Sequence, residues 1–137
     1  MVALLNDPER LEKLEELILE LQQMSDKGSL IIVEGKRDRK ALRALGITGA
    51  IMLGTKKSIL VFCEEVAREY NNVIVLTDWD ENGDKLAALM EGYLRSTSTA
   101  VNMDIRKKIK NLVKKRIKDI ESLDTHISNL ASDLKHF

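Results

Sequence analysis

The sequence predicts an α/β protein: a mainly parallel four-stranded sheet with helices on both faces. Three observations lead there. Short continuous apolar runs such as LIIV and VIVL have the length and β-branched content of buried parallel strands. Between them lie stretches with apolar residues at helical spacing, and alternation of the two is the pattern of a parallel sheet. The composition, 44% hydrophobic and 32% charged with one Pro, is that of an ordered chain; with only 4% aromatics, its core must come from Leu, Ile, Val and Ala.

Asp7-Pro8 offers an acid as cap and a proline in the first turn, so a helix is expected over residues 8–24, with Leu11, Leu14, Leu17, Ile18 and Leu21 on one face. SDKG breaks it, and Leu30 to Val33 reads as the first strand, ending at Glu34-Gly35. A helix over residues 37–45 stops at Gly46. Ala50 to Leu53 is the second strand, followed by Gly54-Thr55. ILVF alone could be a strand, but Ile59, Cys63, Val66 and Tyr70 keep helical period, which makes this a helix starting near Ser58. NNVIVLT returns to strand, and residues 84–95 are helical with Asp84 as the expected N-cap. Thr99 to Met103 fits a short edge strand. Ile105, Ile109, Leu112, Val113 and Ile117 line one face of a basic helix, and a last helix is expected over residues 121–135.

The 137 residues suit one domain. MVALLNDPER has no signal-peptide apolar core and no run approaches the roughly 20 apolar residues of a membrane span, so a cytoplasmic protein is expected. Cys63, the single cysteine, falls on a core face and excludes an intrachain disulfide and a cysteine zinc site; His126 and His136 are the only imidazoles. Net charge is zero but unevenly spread. The first 26 residues are acid-rich, whereas residues 105–118, IRKKIKNLVKKRIK, contain eight Lys or Arg and no acid. That run can be a solvated face or a phosphate-binding one, with Arg106, Lys107, Lys110 and Lys114 as the candidate contacts.

Parallel strands end on one edge, and ligands bind outside it. Glu34 follows the first strand, and Asp78 and Asp80 follow VIVLT, so three acids from two strands reach that edge. Asp78 and Asp80 share a side of the extended chain while Trp79 points away. Crowded carboxylates repel unless a cation intervenes. Mg²⁺, which takes few protein carboxylates and bridges to phosphate oxygens, suits Glu34, Asp78 and Asp80, with Mn²⁺ able to substitute. Gly35 and Gly83 fit tight turns that aim N–H groups at phosphate, and Lys36 and Arg37 supply countercharge. Asp78 and Asp80 can also be read as a capped turn, and Asp38 as a first-turn helix acid.

VEGKRDRKALRALGI, Val33 to Ile47, followed by TDWDENGD, Thr77 to Asp84, resembles the Toprim domain family, shared by topoisomerases, bacterial-type primases, certain nucleases and recombination mediators. Glu-Gly after one strand and Asp-x-Asp after a later one carry the resemblance, which covers residues 28–103 and is closest to small stand-alone archaeal and bacterial versions. It implies a Rossmann-like three-layer α/β/α fold, with residues 1–27 as an N-terminal helical extension and 104–137 as a basic C-terminal helical part. It further implies Glu34 as general acid or base or a metal ligand, and Asp78 and Asp80 as Mg²⁺ ligands. Lys36 and Asp38 match the Glu-Gly-Lys-x-Asp form of ribosomal-RNA-maturing ribonucleases and primases. The function implied is Mg²⁺-dependent phosphodiester cleavage of RNA or DNA, a nuclease of the hydrolase class. The alternative is a non-catalytic nucleic-acid or ribonucleoprotein binding module that keeps the acids. A phosphoacceptor receiver domain also gathers acids at a sheet edge, but it should carry adjacent acids after its first strand. No separate domain for a topoisomerase tyrosine or a primase zinc site is evident, so a stand-alone unit with modest nucleic-acid affinity and no membrane association is expected.

Overall fold

The computed structural model describes residues 5–54 and 58–135; Thr55, expected after the second strand, and His136 lie outside them. The elements run α1 (Asp7–Asp26), β1 (Leu30–Val33), α2 (Lys36–Ala44), β2 (Ile51–Leu53), α3 (Ile59–Glu69), β3 (Asn72–Val75), α4 (Glu81–Arg95), β4 (Ala100–Asn102), α5 (Asp104–Val113) and α6 (Leu123–Leu134). The four strands form one parallel sheet in the order β2-β1-β3-β4.

Sheet pleating sorts the side chains. Along β1, Leu30 and Ile32 face one layer with Phe62, Val66 and Met90 of α3 and α4. Ile31 and Val33 face the other, with Leu14 and Leu21 of α1, Leu42 of α2, Ile109 of α5 and Leu130 of α6. All four β1 residues are fully buried, and each contributes roughly 1.5–3 kcal/mol relative to exposure. The result is the expected three-layer α/β/α arrangement with a central β1–β3 pair. Cys63 is buried, and burial pushes its thiol up to about 11, far from a reactive thiolate.

Two helix starts differ from expectation. The cap of α1 is Asn6, whose Oδ1 accepts from the Glu9 N–H at 2.9 Å, and Asp7 is already helical. α4 begins at Glu81 because Asp80, not Asp84, is its N-cap. In both cases two capping residues stand within one turn, and the outer one is used. Gly46, at φ +87°, ends α2 as expected in the left-handed conformation that favours glycine.

Candidate metal and phosphate site

The ladders end together. The Gly54 N–H donates to the Val33 carbonyl at 2.9 Å and the Leu76 N–H to the Ile32 carbonyl at 2.8 Å, so Glu34 and Asp78 are the first side chains released at the carboxyl edge. They meet there, 44 positions apart in sequence: the Asp78 N–H donates to Glu34 Oε2 at 2.8 Å. Asp78 Oδ1 in turn accepts from the Ile120 N–H at 3.0 Å. Burial, and then the charge and hydrogen bond of Glu34, push the Asp78 carboxyl up to about 7, against the opposing effect of the Ile120 N–H.

Asp38 is the third acid of this edge. Its Oδ2 accepts from the Gly35 N–H at 3.0 Å, the return half of a capping box on α2. Burial, with the charge of Asp78 behind it, raises its carboxyl to about 6, while N–H groups of Gly35 and Glu121 act the other way. Lys36 and Arg37 are exposed on the first turn of α2 and line the same cavity of about 470 Å³ as Glu34, Asp38, Asp78 and Glu121. Arg37 Nη1 lies 3.6 Å from Glu121 Oε1, an exposed and therefore weak pair.

Other candidates go elsewhere. Asp80 Oδ1 accepts from the Gly83 N–H at 2.6 Å, and Asp80 is not among the residues lining the cavity. Among the described residues, no three His, Cys, Asp or Glu side chains form a ready-made metal cluster. The Gly83 N–H is therefore committed to the cap rather than offered to a phosphate. Gly83 is needed for another reason: a Cβ there would overlap the Asp78 carbonyl. Asp84 pairs with Arg106 (2.7 Å) and Lys110 (3.0 Å). Burial alone would raise the Asp84 carboxyl, but these two hydrogen bonds outweigh it and hold it below the ordinary value. Arg106, expected as a phosphate contact, is buried and donates inward; Lys110 is half-buried beside it, while Lys107 and Lys114 are exposed.

The sequence reading put Ile117 on the basic helix and Glu121 in the last one, whereas α5 ends at Val113 and α6 begins at Leu123, which leaves Ile117 to Glu121 as a connecting segment. It crosses the edge: the Trp79 N–H donates to the Lys118 carbonyl (3.2 Å), Trp79 Nε1 to the Ile117 carbonyl (2.7 Å), and Ile120 reaches Asp78. The adjacent acids of Asp119-Ile120-Glu121, directly after the basic run, were the one available signal.

The donors at this edge are carboxylate oxygens, the set a hard cation such as Mg²⁺ takes one or two at a time before completing its shell with water and phosphate oxygens. Glu34 and Asp78 fit that ion, since two acids held in contact are relieved by a cation.

Residues 29–121 match the Toprim domain family. A UPF0292 protein of Methanosarcina barkeri is 47% identical over 121 residues, covering 88% of this chain and 85% of that protein. A UPF0292 protein of Pyrococcus furiosus is 40% identical over 116 residues, covering 85% of each. A solved structure of a protein from Aquifex aeolicus matches with a TM-score of 0.68 at 30% identity, covering 80% of this chain and 96% of that one.

Proposed function

The chain belongs to the Toprim domain family, and we propose that it is a Mg²⁺-dependent phosphodiester-acting protein of the nuclease type, working on RNA or DNA. The contact between Glu34 and Asp78 carries this reading, because it joins two acids at the strand edge beside Lys36 and Arg37. Mg²⁺ would be held by Glu34 and Asp78, with Asp80 as a third candidate that caps α4 through one of its two oxygens. When bound, the ion supplies positive charge to the phosphoryl oxygens. Lys36 and Arg37 bind and orient the phosphate, Glu34 holds or moves a proton at its carboxylate, and Asp38 holds the Gly35 turn that aims them.

The strand's approach is assigned to α5. A groove of about 860 Å³ between α1 and α5 is lined by Lys108, Lys114 and Lys115 on one side and by Lys13, Glu16 and Glu20 of α1 on the other, over Leu17 and Leu112. The lysines of its α5 side suit a phosphate backbone, with Glu16 and Glu20 confining that backbone to this side. A second reading, a binding module that cuts nothing, is favoured by the use of Asp80 as a cap. Incubation of RNA and DNA oligonucleotides with and without Mg²⁺ tests both. Cleavage lost in Glu34→Gln and Asp78→Asn supports the enzyme; retained binding with no cleavage under any condition supports the module.

A further inference from the structure

Thr77 and Asp78 lie just beyond the last ladder bond of β3, where their carbonyls have no neighbouring strand. A single side chain takes both. Arg106 of α5 donates from Nε to the Thr77 carbonyl at 2.9 Å and from Nη2 to the Asp78 carbonyl at 2.6 Å. The same Nη2 donates to Asp84 Oδ1 at 2.7 Å, and Lys110 Nζ reaches both oxygens of Asp84 at 3.1 and 3.0 Å. Only 9% of the Arg106 side chain is exposed. A buried guanidinium is costly unless paired and hydrogen-bonded, and here Asp84 and the two carbonyls engage its Nε and Nη2.

We propose that Arg106 is a positioning residue for the metal site, aiming the Asp78 carboxylate by fixing the backbone that bears it. The inference rests on the reading of Glu34 and Asp78 as cation ligands. Asp78 is held from both ends, its N–H by Glu34 Oε2 and its carbonyl by Arg106, while its carboxylate Oδ1 accepts from the Ile120 N–H, so the backbone that Arg106 fixes sets where that carboxylate starts from. Thr77 Oγ1 ties the same loop to the Gly83 carbonyl at 2.8 Å, so the turn moves as one piece. Lysine cannot replace the arginine here, because one ammonium cannot span the three acceptors that the planar fork meets. Asp84 acts through Arg106, holding the fork in register, and Lys110 balances the charge Asp84 leaves over.

The test is Mn²⁺ titration of the full chain, followed by quenching of Trp79, the only tryptophan and the residue next to Asp78, with thermal melts alongside. Arg106→Lys and Arg106→Met should each weaken Mn²⁺ binding, roughly 10–100-fold, the range found when partners of metal ligands are removed. Asp84→Asn, which spares the carbonyl bonds, should weaken it less, and should add little when combined with Arg106→Lys. Should the Arg106 variants not fold, Asp84→Asn alone carries the test. Variants with lowered melting temperature but wild-type Mn²⁺ affinity would make Arg106 a packing residue and overturn the inference. So would wild-type affinity in Arg106→Lys with loss in Arg106→Met, which would leave charge as the cause. Absence of Mn²⁺ binding in wild type is a distinct failure: it strikes the metal reading itself, and the positioning role with it.

Discussion

Asp78 and Asp38 hold protons that a solvated carboxyl would have lost. Burial raises Asp78 to about 7 and Asp38 to about 6, against about 3.9 in an unfolded chain. Between about pH 4 and 7 the folded, metal-free protein therefore binds more protons than the unfolded one, and stability falls as pH rises through that window. Asp84 works in the opposite sense: its depressed carboxyl adds stability above the ordinary carboxylate pKa, lost as pH falls below it. The expected result is a metal-free melting temperature that declines from pH 5 to 7.5, with a flatter profile in Asp78→Asn. A rising profile, or no change in that variant, would show that the Asp78 carboxyl is not raised in the metal-free protein. Divalent cation should recover the loss at neutral pH. The convergence of Glu34 and Asp78 was legible because strand ends are legible; that Asp38 belongs to the same cluster was legible only by resemblance. The roles of Arg106 and Lys110 were not, since a cation's inward or outward direction depends on what packs beneath it.

Among the elements, α4 shows where a motif serves two purposes. Asp80 is read from the sequence as one of three crowded metal ligands, and for a ligand alone removal would relieve repulsion and leave the metal-free fold intact or firmer. As N-cap of α4, with Oδ1 on the Gly83 N–H, it should instead cost about 1 kcal/mol when replaced by Ala. Asn caps about as well as Asp, so Asp80→Asn should melt close to wild type. That variant separates the two purposes. Unchanged Mn²⁺ affinity in Asp80→Asn would leave Asp80 a cap alone, whereas weakened affinity at wild-type stability would restore it as a ligand. Helix existence and the alternation of strands and helices along the chain followed from periodicity, which records burial; the order β2-β1-β3-β4 within the sheet did not. Cap choice did not, because Asp80 and Asp84 are chemically equal and the decision lies with tertiary partners: Arg106 and Lys110 claim Asp84. The Ile117–Glu121 crossing was marked only by its two acids for a related reason, since its bonds to Trp79 and Asp78 use backbone groups that every residue carries.

At the scale of the whole molecule, a neutral chain presents an uneven field. The eight cations of residues 105–118 do not act as one surface. Arg106 and Lys110 turn toward the metal loop, Arg116 pairs with Asp7 at 2.7 Å, and Lys108, Lys114 and Lys115 line the groove against α1. The sequence alone could not place this helix relative to the acids; one bonded path, Lys110 to Asp84 to Arg106 to Asp78, joins them. Charge reversal should therefore have two separable outcomes. Changing Lys108, Lys114 and Lys115 to Glu should cut single-stranded oligonucleotide affinity and leave Mn²⁺ binding intact. Each lost phosphate contact removes about 0.7 from the log–log dependence on salt, so the slope should flatten by roughly 2 if all three lysines meet phosphates. Lys110→Glu should instead weaken Mn²⁺ binding, because it sets a second acid against Asp84 and unbalances the Arg106 clamp. Oligonucleotide binding at several salt concentrations, with Mn²⁺ titration of the same proteins, decides it. Equal slopes for wild type and the triple variant would remove the groove from the nucleic-acid path and leave those lysines a solvated face, with phosphate capture falling to Lys36 and Arg37 at the acid edge.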